Sequence, residues 1–399
     1  MNIGLLGCGV VGGGILDFCA ERADLTVAKV LVRRPRPELG TLAVTDIADI
    51  TGDPTIGIVI EVMGGLHPAY EYICAALRSG KHVVTANKAV ISAFYSELTQ
   101  LAAENGVSLR CTAAVGGGIP WLVNLERCKR LDAISELGGI MNGTTNFIMD
   151  AMHAAPVSFP EILKQAQELG YAETKDPGDD VDGRDACRKI AILSSLVCGH
   201  QIYPQNIPTR GIRDITVADI KAAEKLDSAI KLIAWYNEGG DSQMAAGVEP
   251  MLVSNSNQLA GVDDVFNAVL MKGDMLGDVV FYGKGAGKLP TASAVVADVV
   301  DALKNGSKVH DSLFWQPAEP VEGMLTDPAP AAYYVRAAGV APAVVEAIYG
   351  RGRVVDEHFD GCSYLVEQAD AKAMAEAARK VETVGGSVKL VLKKLPEEA

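Results

Sequence analysis

The sequence predicts an α/β fold: a doubly wound parallel sheet of the Rossmann type, then an α+β domain, then a small domain of order βαββαβ. Three observations predict it. The chain begins with an apolar strand that leads through a glycine-rich turn into a helix, and further strand–helix units follow. After a proline-rich stretch at 326–330 the pattern changes to short alternating strands and helices. The predicted domains span 1–125, 126–289 and 330–399.

Bulk composition excludes several classes of protein. A chain of 399 residues is long for one core, and 49% apolar with 22% charged residues is ordinary for a globular protein. The net charge of −14 argues against a nucleic-acid partner. Eight scattered cysteines without a Cys-x-x-Cys pair predict reduced thiols in a cytoplasmic protein. Neither a signal peptide nor a membrane-spanning segment is predicted.

The first strand and its turn, "MNIGLLGCGVVGGGILDFCAE", predict a dinucleotide site. Gly7 permits a tight turn, Gly9 lets the backbone approach a pyrophosphate, and Gly12 lets the helix pack on the strand. Val10 and Val11 lie between these glycines, where the helix begins, so their backbone N–H groups are candidate phosphate contacts.

The end of the second strand indicates which nucleotide is bound. An acidic residue there would hold a ribose hydroxyl, whereas a basic residue favours the 2′-phosphate. This chain has Arg33 and Arg34 and no acid. NADP(H) is therefore the predicted cofactor, and NAD(H) is the alternative.

Two further strand–helix units place candidate residues at the carboxyl edge of the sheet. Met63 and Gly64 follow one strand, and Lys88 follows the next in "TANKA". Ligands collect at this edge of a parallel sheet. Lys88 is thus either a residue near the nicotinamide or a solvated lysine at a helix start, and both interpretations stay open.

Two polar or glycine-rich turns lie in the middle of the chain. The run 115–120, "VGGGIP", can expose carbonyl groups to an ion, although a plain loop-to-helix turn is the commoner case. The turn 142–146, "NGTTN", caps a helix and offers donors suited to an anionic carboxylate.

An acidic cluster precedes the next helix. Within that helix Asp185 and Lys189 are four residues apart and share one face. Two interpretations stay open: a surface ion pair that follows a solvated acidic loop, or a binding site. The acidic cluster consists of six carboxylates, the last of which lies in the helix: Glu173, Asp176, Asp179, Asp180, Asp182 and Asp185.

Taken in order, these motifs and "GKGAGKLPTASAVV" resemble homoserine dehydrogenase of amino-acid biosynthesis. The resemblance covers about the first four fifths of the chain. It implies that the helix starting at Pro290 packs back on the nucleotide domain, so that 290–322 belongs with 1–125. It also implies that Gly285 lies beside the cofactor.

The resemblance implies the roles of the reacting residues. Lys88 and Lys189 would flank the reacting carbon, with Lys88 the expected proton donor and Lys189 binding and polarising the substrate. Asp185 would orient Lys189.

An amino-acid substrate carries two further charges. Glu173 and Asp180 would receive its α-ammonium group, and Gly143 and Thr144 would hold its carboxylate.

Two positions depart from the family pattern. Thr112 stands where the family usually has a carboxylate for a monovalent cation, so a Na⁺ ion would rely on the carbonyl groups of Val115, Gly117 and Ile119. "ETKDP" is one residue longer than the usual spacing, which affects the alignment of Glu173.

The expected protein is an NAD(P)H-dependent homoserine dehydrogenase that forms a homodimer through its middle domain. The C-terminal order βαββαβ is similar to ferredoxin-like domains of the ACT type, either regulatory or purely structural. An aspartate-semialdehyde dehydrogenase is an alternative, but it needs a nucleophilic cysteine. A nucleotide-sensing regulator without catalysis is another.

Overall fold

The computed structural model describes residues 2–34, 36–238, 244–306, 319–320 and 330–395. The chain divides into two compact units. The first comprises Met1–Leu137, Arg188–Asn206 and Leu270–Gly323, and the second comprises Gly138–Cys187, Ile207–Val269 and Met324–Ala399. Two parts of the predictions lie outside the described residues. They are residues 307–318 and 321–322 of the predicted segment 290–322, and the proline-rich residues 326–329.

The first unit contains a six-stranded parallel sheet. Its strands are β1 (Asn2–Leu6), β2 (Thr26–Leu31), β3 (Ala43–Val44), β4 (Ile56–Glu61), β5 (His82–Thr85) and β6 (Leu109–Arg110). The order in the sheet is β3-β2-β1-β4-β5-β6, with every pair parallel. This order confirms the predicted Rossmann-type sheet, in which ligands bind where the strand order reverses, between β1 and β4.

Helices connect these strands. They are α1 (Val10–Ala20), α2 (Ala48–Thr51), α3 (Ala69–Arg78), α4 (Lys88–Glu104) and α5 (Trp121–Lys129). The central strands are buried along almost their whole length because helices cover both faces of the sheet.

The middle of the chain alternates helices with longer strands. Its elements are β7 (Ile134–Ile140), α6 (Gly143–Ala154), α7 (Phe159–Glu168), α8 (Gly178–Val181), α9 (Arg184–Cys198), β8 (His200–Gln201), α10 (Val217–Lys225), β9 (Ser228–Glu238), β10 (Met244–Ser254), β11 (Phe266–Gly273), β12 (Gly277–Lys284), α11 (Lys288–Asn305) and β13 (Glu319–Pro320).

The C-terminal segment has the predicted order βαββαβ. Its elements are β14 (Ala331–Ala338), α12 (Pro342–Tyr349), β15 (Gly352–His358), β16 (Gly361–Ala369), α13 (Ala371–Thr383) and β17 (Ser387–Lys394). In the second unit the sheet order is β9-β10-β17-β14-β16-β15. Because β17 pairs in parallel with β10, the C-terminal strands continue the sheet of the middle segment. The predicted mixed α+β region is therefore present, while the assignment to the ACT type stays a prediction.

Helix α11 belongs to the core of the first unit. Ala292 and Val295 are buried with Leu5 and Ile15 in one hydrophobic cluster. A Cβ atom at Gly14 would lie 3.0 Å from Cβ of Ala292, so the two helices approach each other closely. Within the described part of the chain, none of the helices has the length and apolar character needed to cross a membrane.

Candidate functional site

The glycine turn between β1 and α1 has the geometry of a phosphate cradle. Gly7 adopts φ = +96°, a conformation that favours glycine. A Cβ atom at Gly12 would lie 2.4 Å from the carbonyl oxygen of Gly7, so only glycine fits there. Val10 and Val11 are the first residues of α1, which places the positive end of the helix at this turn. The residues present therefore fit a dinucleotide pyrophosphate.

Three arginines follow β2 in the same unit. Arg33 and Arg34 are exposed directly after the strand. Arg36, which the sequence analysis did not select, donates a hydrogen bond from Nη1 to the carbonyl oxygen of Cys8 at 2.7 Å. A guanidinium group thus lies against the glycine turn itself. The only available signal was that Arg36 is the third arginine in "VRRPR".

The turns after β4 and β5 carry the next candidates. Met63 and Gly64 follow β4, and Lys88 is the first residue of α4. Asn87 caps that helix, because its Oδ1 accepts a hydrogen bond from the Val90 N–H at 3.3 Å. Lys88 is only partly exposed, which disfavours the interpretation as a fully solvated helix-start lysine.

Glu61, the last residue of β4, was missed by the sequence analysis. It is 0% exposed and accepts hydrogen bonds from both turns. The signal was available in principle, because it is an acidic residue at the end of the apolar run "IGIVI".

The glycine run at 116–118 packs against the turn before α11. Gly117 has φ = +53°, and a Cβ atom there would lie 2.6 Å from the carbonyl oxygen of Gly285. Among the predicted cation ligands, the carbonyl of Ile119 already accepts a hydrogen bond from Trp121 N–H at 2.9 Å. Val115 and Gly117 are buried in the same turn.

Thr112 is held by a carboxylate from α11. Its N–H donates to Oδ2 of Asp298 at 3.0 Å, and Asp298 is 2% exposed. Burial raises the pKa of Asp298 to about 6. Across the described residues, no group of three or more His, Cys, Asp or Glu side chains could hold a metal ion.

In the second unit the side chain of Asn142 joins two of the six acids. Its Nδ2 donates to Oδ1 of Asp180 at 2.7 Å and to Oδ2 of Asp185 at 2.9 Å. Its Oδ1 accepts from the Thr145 N–H at 2.8 Å and so caps α6. The sequence predicted capping and carboxylate binding for the turn 142–146, but this bridging role of Asn142 was not predicted.

Gly143 and Thr144 are the first two residues of α6, at its positive end. A Cβ atom at Gly143 would lie 2.5 Å from the carbonyl oxygen of Val265, so the position requires glycine. The hydroxyl of Thr144 donates to the carbonyl of Tyr171 at 2.7 Å. Any contact of Thr144 with a carboxylate would therefore come from its backbone.

The other acids of the cluster are arranged differently. Arg184 lies within 4 Å of Asp176, Asp179 and Asp182, and all of these side chains are substantially exposed. Glu173 is exposed as well. For these residues the solvated-loop interpretation holds, apart from any role of Glu173 when a ligand is bound.

Asp185 and Lys189 lie on α9 and are 4% and 7% exposed. The alternative interpretation as a surface ion pair is therefore wrong. Removing a carboxylate and an ammonium group from water is costly unless both interact with other groups, so this burial indicates a specific role.

The chain matches two family models. The model described as homoserine dehydrogenase matches residues 120–300, and that described as homoserine dehydrogenase, NAD binding domain, matches residues 7–112. A curated homoserine dehydrogenase of Synechocystis is 44% identical over 321 residues, which cover 76% of this chain and 73% of that relative.

Solved structures extend the similarity to the C-terminal segment. A homoserine dehydrogenase from Thiobacillus denitrificans superposes with a TM-score of 0.90 at 34% identity, covering 99% of this chain and 98% of the other. A hyperthermophilic archaeal homoserine dehydrogenase in complex with NADPH has a TM-score of 0.65 at 25% identity, covering 76% and 98%.

Proposed function

The chain belongs to the homoserine dehydrogenase family, and from this premise we propose which of its residues carry the reaction. The protein is an NAD(P)-dependent oxidoreductase that interconverts L-aspartate 4-semialdehyde and L-homoserine in threonine and methionine biosynthesis. The residue assignment rests on the burial of Asp185 and Lys189 on α9, the helix that follows the exposed acids of the cluster.

Lys88 donates the proton in the reduction, and Lys189 polarises the substrate oxygen. A nicotinamide cofactor, when bound, would supply a hydride to the aldehyde carbon, and the carbonyl oxygen would then need one proton to become a hydroxyl. An ammonium group that donates a hydrogen bond to this oxygen stabilises the negative charge as it develops and delivers the proton. In the oxidation the same lysine, in its neutral form, accepts the proton. Asp185 orients Lys189, which lies one helical turn further along α9.

Asp180 and Glu173 bind the α-ammonium group of the substrate, and the start of α6 binds its carboxylate. Asp180 suits this role because Asn142 holds its carboxylate in one orientation. The backbone N–H groups of Gly143 and Thr144 lie at a helix N-terminus, which favours an anion. Recognition of both charges would select an amino acid over a simple aldehyde.

The cofactor is held by the glycine turn, with Gly7, Gly9, Val10, Val11 and Gly12 at the pyrophosphate, and by Met63, Gly64, Lys88 and Gly285 further along. NADP(H) is preferred over NAD(H), because three arginines follow β2 and residues 32–36 include no acid. The position of Arg36 against the Cys8 carbonyl supports this preference. The NADPH complex of the archaeal relative is consistent with it.

Four finer assignments complete the proposal. A Na⁺ ion would be held by the carbonyls of Val115, Gly117 and Ile119. The functional assembly is a homodimer formed through residues 126–289. The C-terminal segment 330–399 is an ACT-like module with a regulatory or a structural role. A reducing, cytoplasmic location fits the eight cysteines, which all lie in described segments and form no disulfide.

Initial rates of L-homoserine oxidation with NADP⁺ and NAD⁺ test the function and the cofactor preference together. We expect turnover that needs no phosphate, with a kcat/KM at least about 10-fold higher for NADP⁺ because each arginine contact to a phosphate is charge-assisted.

Arg33→Asp should reverse or abolish that ratio. Arg78→Asp, which changes an exposed arginine of α3 in the same unit, should leave it unchanged. An equal cofactor ratio in wild type and Arg33→Asp would rule out the phosphate contact, and a phosphate requirement would favour aspartate-semialdehyde dehydrogenase.

A further inference from the structure

Glu61 is a fully buried carboxylate at the carboxyl end of β4. Burial of this kind raises the pKa of Glu61, and hydrogen bonds from Thr85, Met63 and Asn87 act in the opposite direction. A buried charge is retained only where the surrounding groups interact with it specifically, so its partners indicate its role.

The groups that form hydrogen bonds with Glu61 in the described part of the chain are donors. Oε1 accepts from the Met63 N–H at 2.7 Å and from Nδ2 of Asn87 at 3.3 Å, while Oε2 accepts from the Thr85 hydroxyl at 2.6 Å. The Thr85 Oγ1 in turn accepts from the Asn87 N–H at 2.9 Å, so its own proton is directed at Glu61. An ionised carboxylate, which only accepts hydrogen bonds, satisfies this set of donors.

These bonds connect the two turns at the edge of the sheet. Met63 belongs to the turn after β4, and Thr85 and Asn87 belong to the turn after β5. Asn87 also donates to the carbonyl of Gly65 at 2.8 Å. Because Asn87 caps α4, whose first residue is Lys88, the position of that lysine depends on where Glu61 holds Asn87.

We infer that Glu61 is a positioning residue for the reaction. Its buried carboxylate fixes the Met63–Gly65 turn relative to the Thr85–Asn87 turn, and thereby orients Lys88 toward the nicotinamide side of the site. This inference rests on the proposed role of Lys88. Glu61 itself is proposed to touch neither substrate nor cofactor, so at saturating cofactor its effect must appear through Lys88 and not as a uniform loss of binding.

The test is the kinetics and pH profile of Glu61→Gln. Glutamine has nearly the same size but turns an NH₂ group toward donors, so one hydrogen bond is lost or rearranged. We expect kcat to fall about 10- to 100-fold, because small displacements of a reacting group are costly, with the KM for L-homoserine changed less than about 3-fold. The limb of the kcat–pH profile that depends on the proton donor should shift. Thr85→Val is a second variant with the same expected pattern, in case Glu61→Gln folds poorly.

Thr99→Val is the matched control. Thr99 is buried on the same helix as Lys88, but its hydroxyl, as far as the described residues show, bonds only to backbone carbonyls of α4 itself. A purely structural disturbance of α4 should lower the melting temperature in this control while kcat and its pH profile stay at wild-type values. If Glu61→Gln and Thr85→Val behave like this control, the inference is wrong.

A Lys88→Ala background separates this inference from the proposed function. If Glu61 acts through Lys88, adding Glu61→Gln to Lys88→Ala should change the remaining rate less than about 2-fold. The same 10- to 100-fold loss in both backgrounds would overturn the inference. A near-normal rate in Lys88→Ala alone would instead overturn the proposed role of Lys88, and with it the basis of the inference.

Discussion

At the scale of single residues, Asn142 divides the acidic cluster into two groups with different environments. Asp180 and Asp185 share the Asn142 amide, whereas Asp176, Asp179 and Asp182 lie around Arg184 in solvent. The sequence showed the cluster, and the family resemblance implied roles for Asp185 and Lys189 that stay a prediction. The division could not be predicted, because it depends on a contact between distant parts of the chain. The turn before α6 packs against α8 and α9, which lie more than thirty residues later in the sequence.

Asp298 gives a residue-scale prediction about pH and stability. Burial raises its pKa from 3.8 to about 6 in the folded protein, so between these pH values the folded state binds more protons than the unfolded state. Its contribution to the free energy of unfolding is therefore fully present below about pH 4 and is lost as the pH rises through 6. The loss is at most about 3 kcal/mol.

Asp298→Asn should remove this dependence, since the amide oxygen can still accept from Thr112 N–H but cannot ionise. Denaturant unfolding of wild type and variant between pH 4 and pH 7 measures it. We expect the variant to gain stability relative to wild type as the pH rises. Asp301→Asn, on the same helix but substantially exposed, is the control and should show a much smaller change. Parallel pH curves for wild type and Asp298→Asn would contradict the assignment.

At the scale of elements, the first strand, turn and helix were predictable because glycine spacing and apolar runs are local signals. The two-residue strand β3 was not, since it exists only through pairing with β2. The long helix α11 was predicted from Pro290 and begins at Lys288. The family resemblance implied that α11 packs on the nucleotide domain. Its position beside α1 was not predicted, because no local pattern indicates which helix it packs on.

Two adjacent glycines of α1 test the close approach in the nucleotide turn. Gly12→Ala places a Cβ atom 2.4 Å from the Gly7 carbonyl, so we expect NADPH affinity to fall at least about 10-fold and the protein to be destabilised by about 1–3 kcal/mol. Gly13→Ala is the control, because its Cβ would be 3.9 Å from the nearest side-chain atom. It should keep its affinity and gain up to about 1 kcal/mol, since alanine favours a helix. Fluorescence titration and thermal unfolding measure both, and equal behaviour of the two variants would contradict this account of the turn.

At the scale of the whole molecule, the C-terminal segment shares one sheet with the middle of the chain. The sequence predicted its order of elements but treated it as a separate module after a linker. Met251 of β10 is in register with Lys393 of β17, a pairing across 142 residues that no local pattern predicts. The buried Asp219 of α10 accepts hydrogen bonds from Tyr334 and Arg336 of β14, each at 2.8 Å. Deleting the segment would therefore disrupt the sheet as well as any regulatory site.

Tyr334→Phe tests this connection without a deletion. Removing the hydroxyl leaves the buried carboxylate of Asp219 with one donor fewer, so we expect a loss of about 1–3 kcal/mol in unfolding free energy. Tyr349→Phe is the control, because within the described part of the chain the Tyr349 hydroxyl is buried without a hydrogen-bond partner. That change should be neutral or stabilising. Equal losses in the two variants would show that the Asp219 contact contributes nothing specific.

The proposed mechanism requires Lys88 and Lys189 to act directly on the substrate oxygen. The most direct measurement is the single-turnover rate of L-aspartate 4-semialdehyde reduction by enzyme preloaded with NADPH, in Lys88→Ala, Lys189→Ala and the control Lys372→Ala, an exposed lysine of α13. We predict losses of about 10²- to 10⁴-fold for the first two at saturating NADPH, with NADPH still bound by both variants and the control unchanged. Wild-type reduction rates in both site variants would contradict the account.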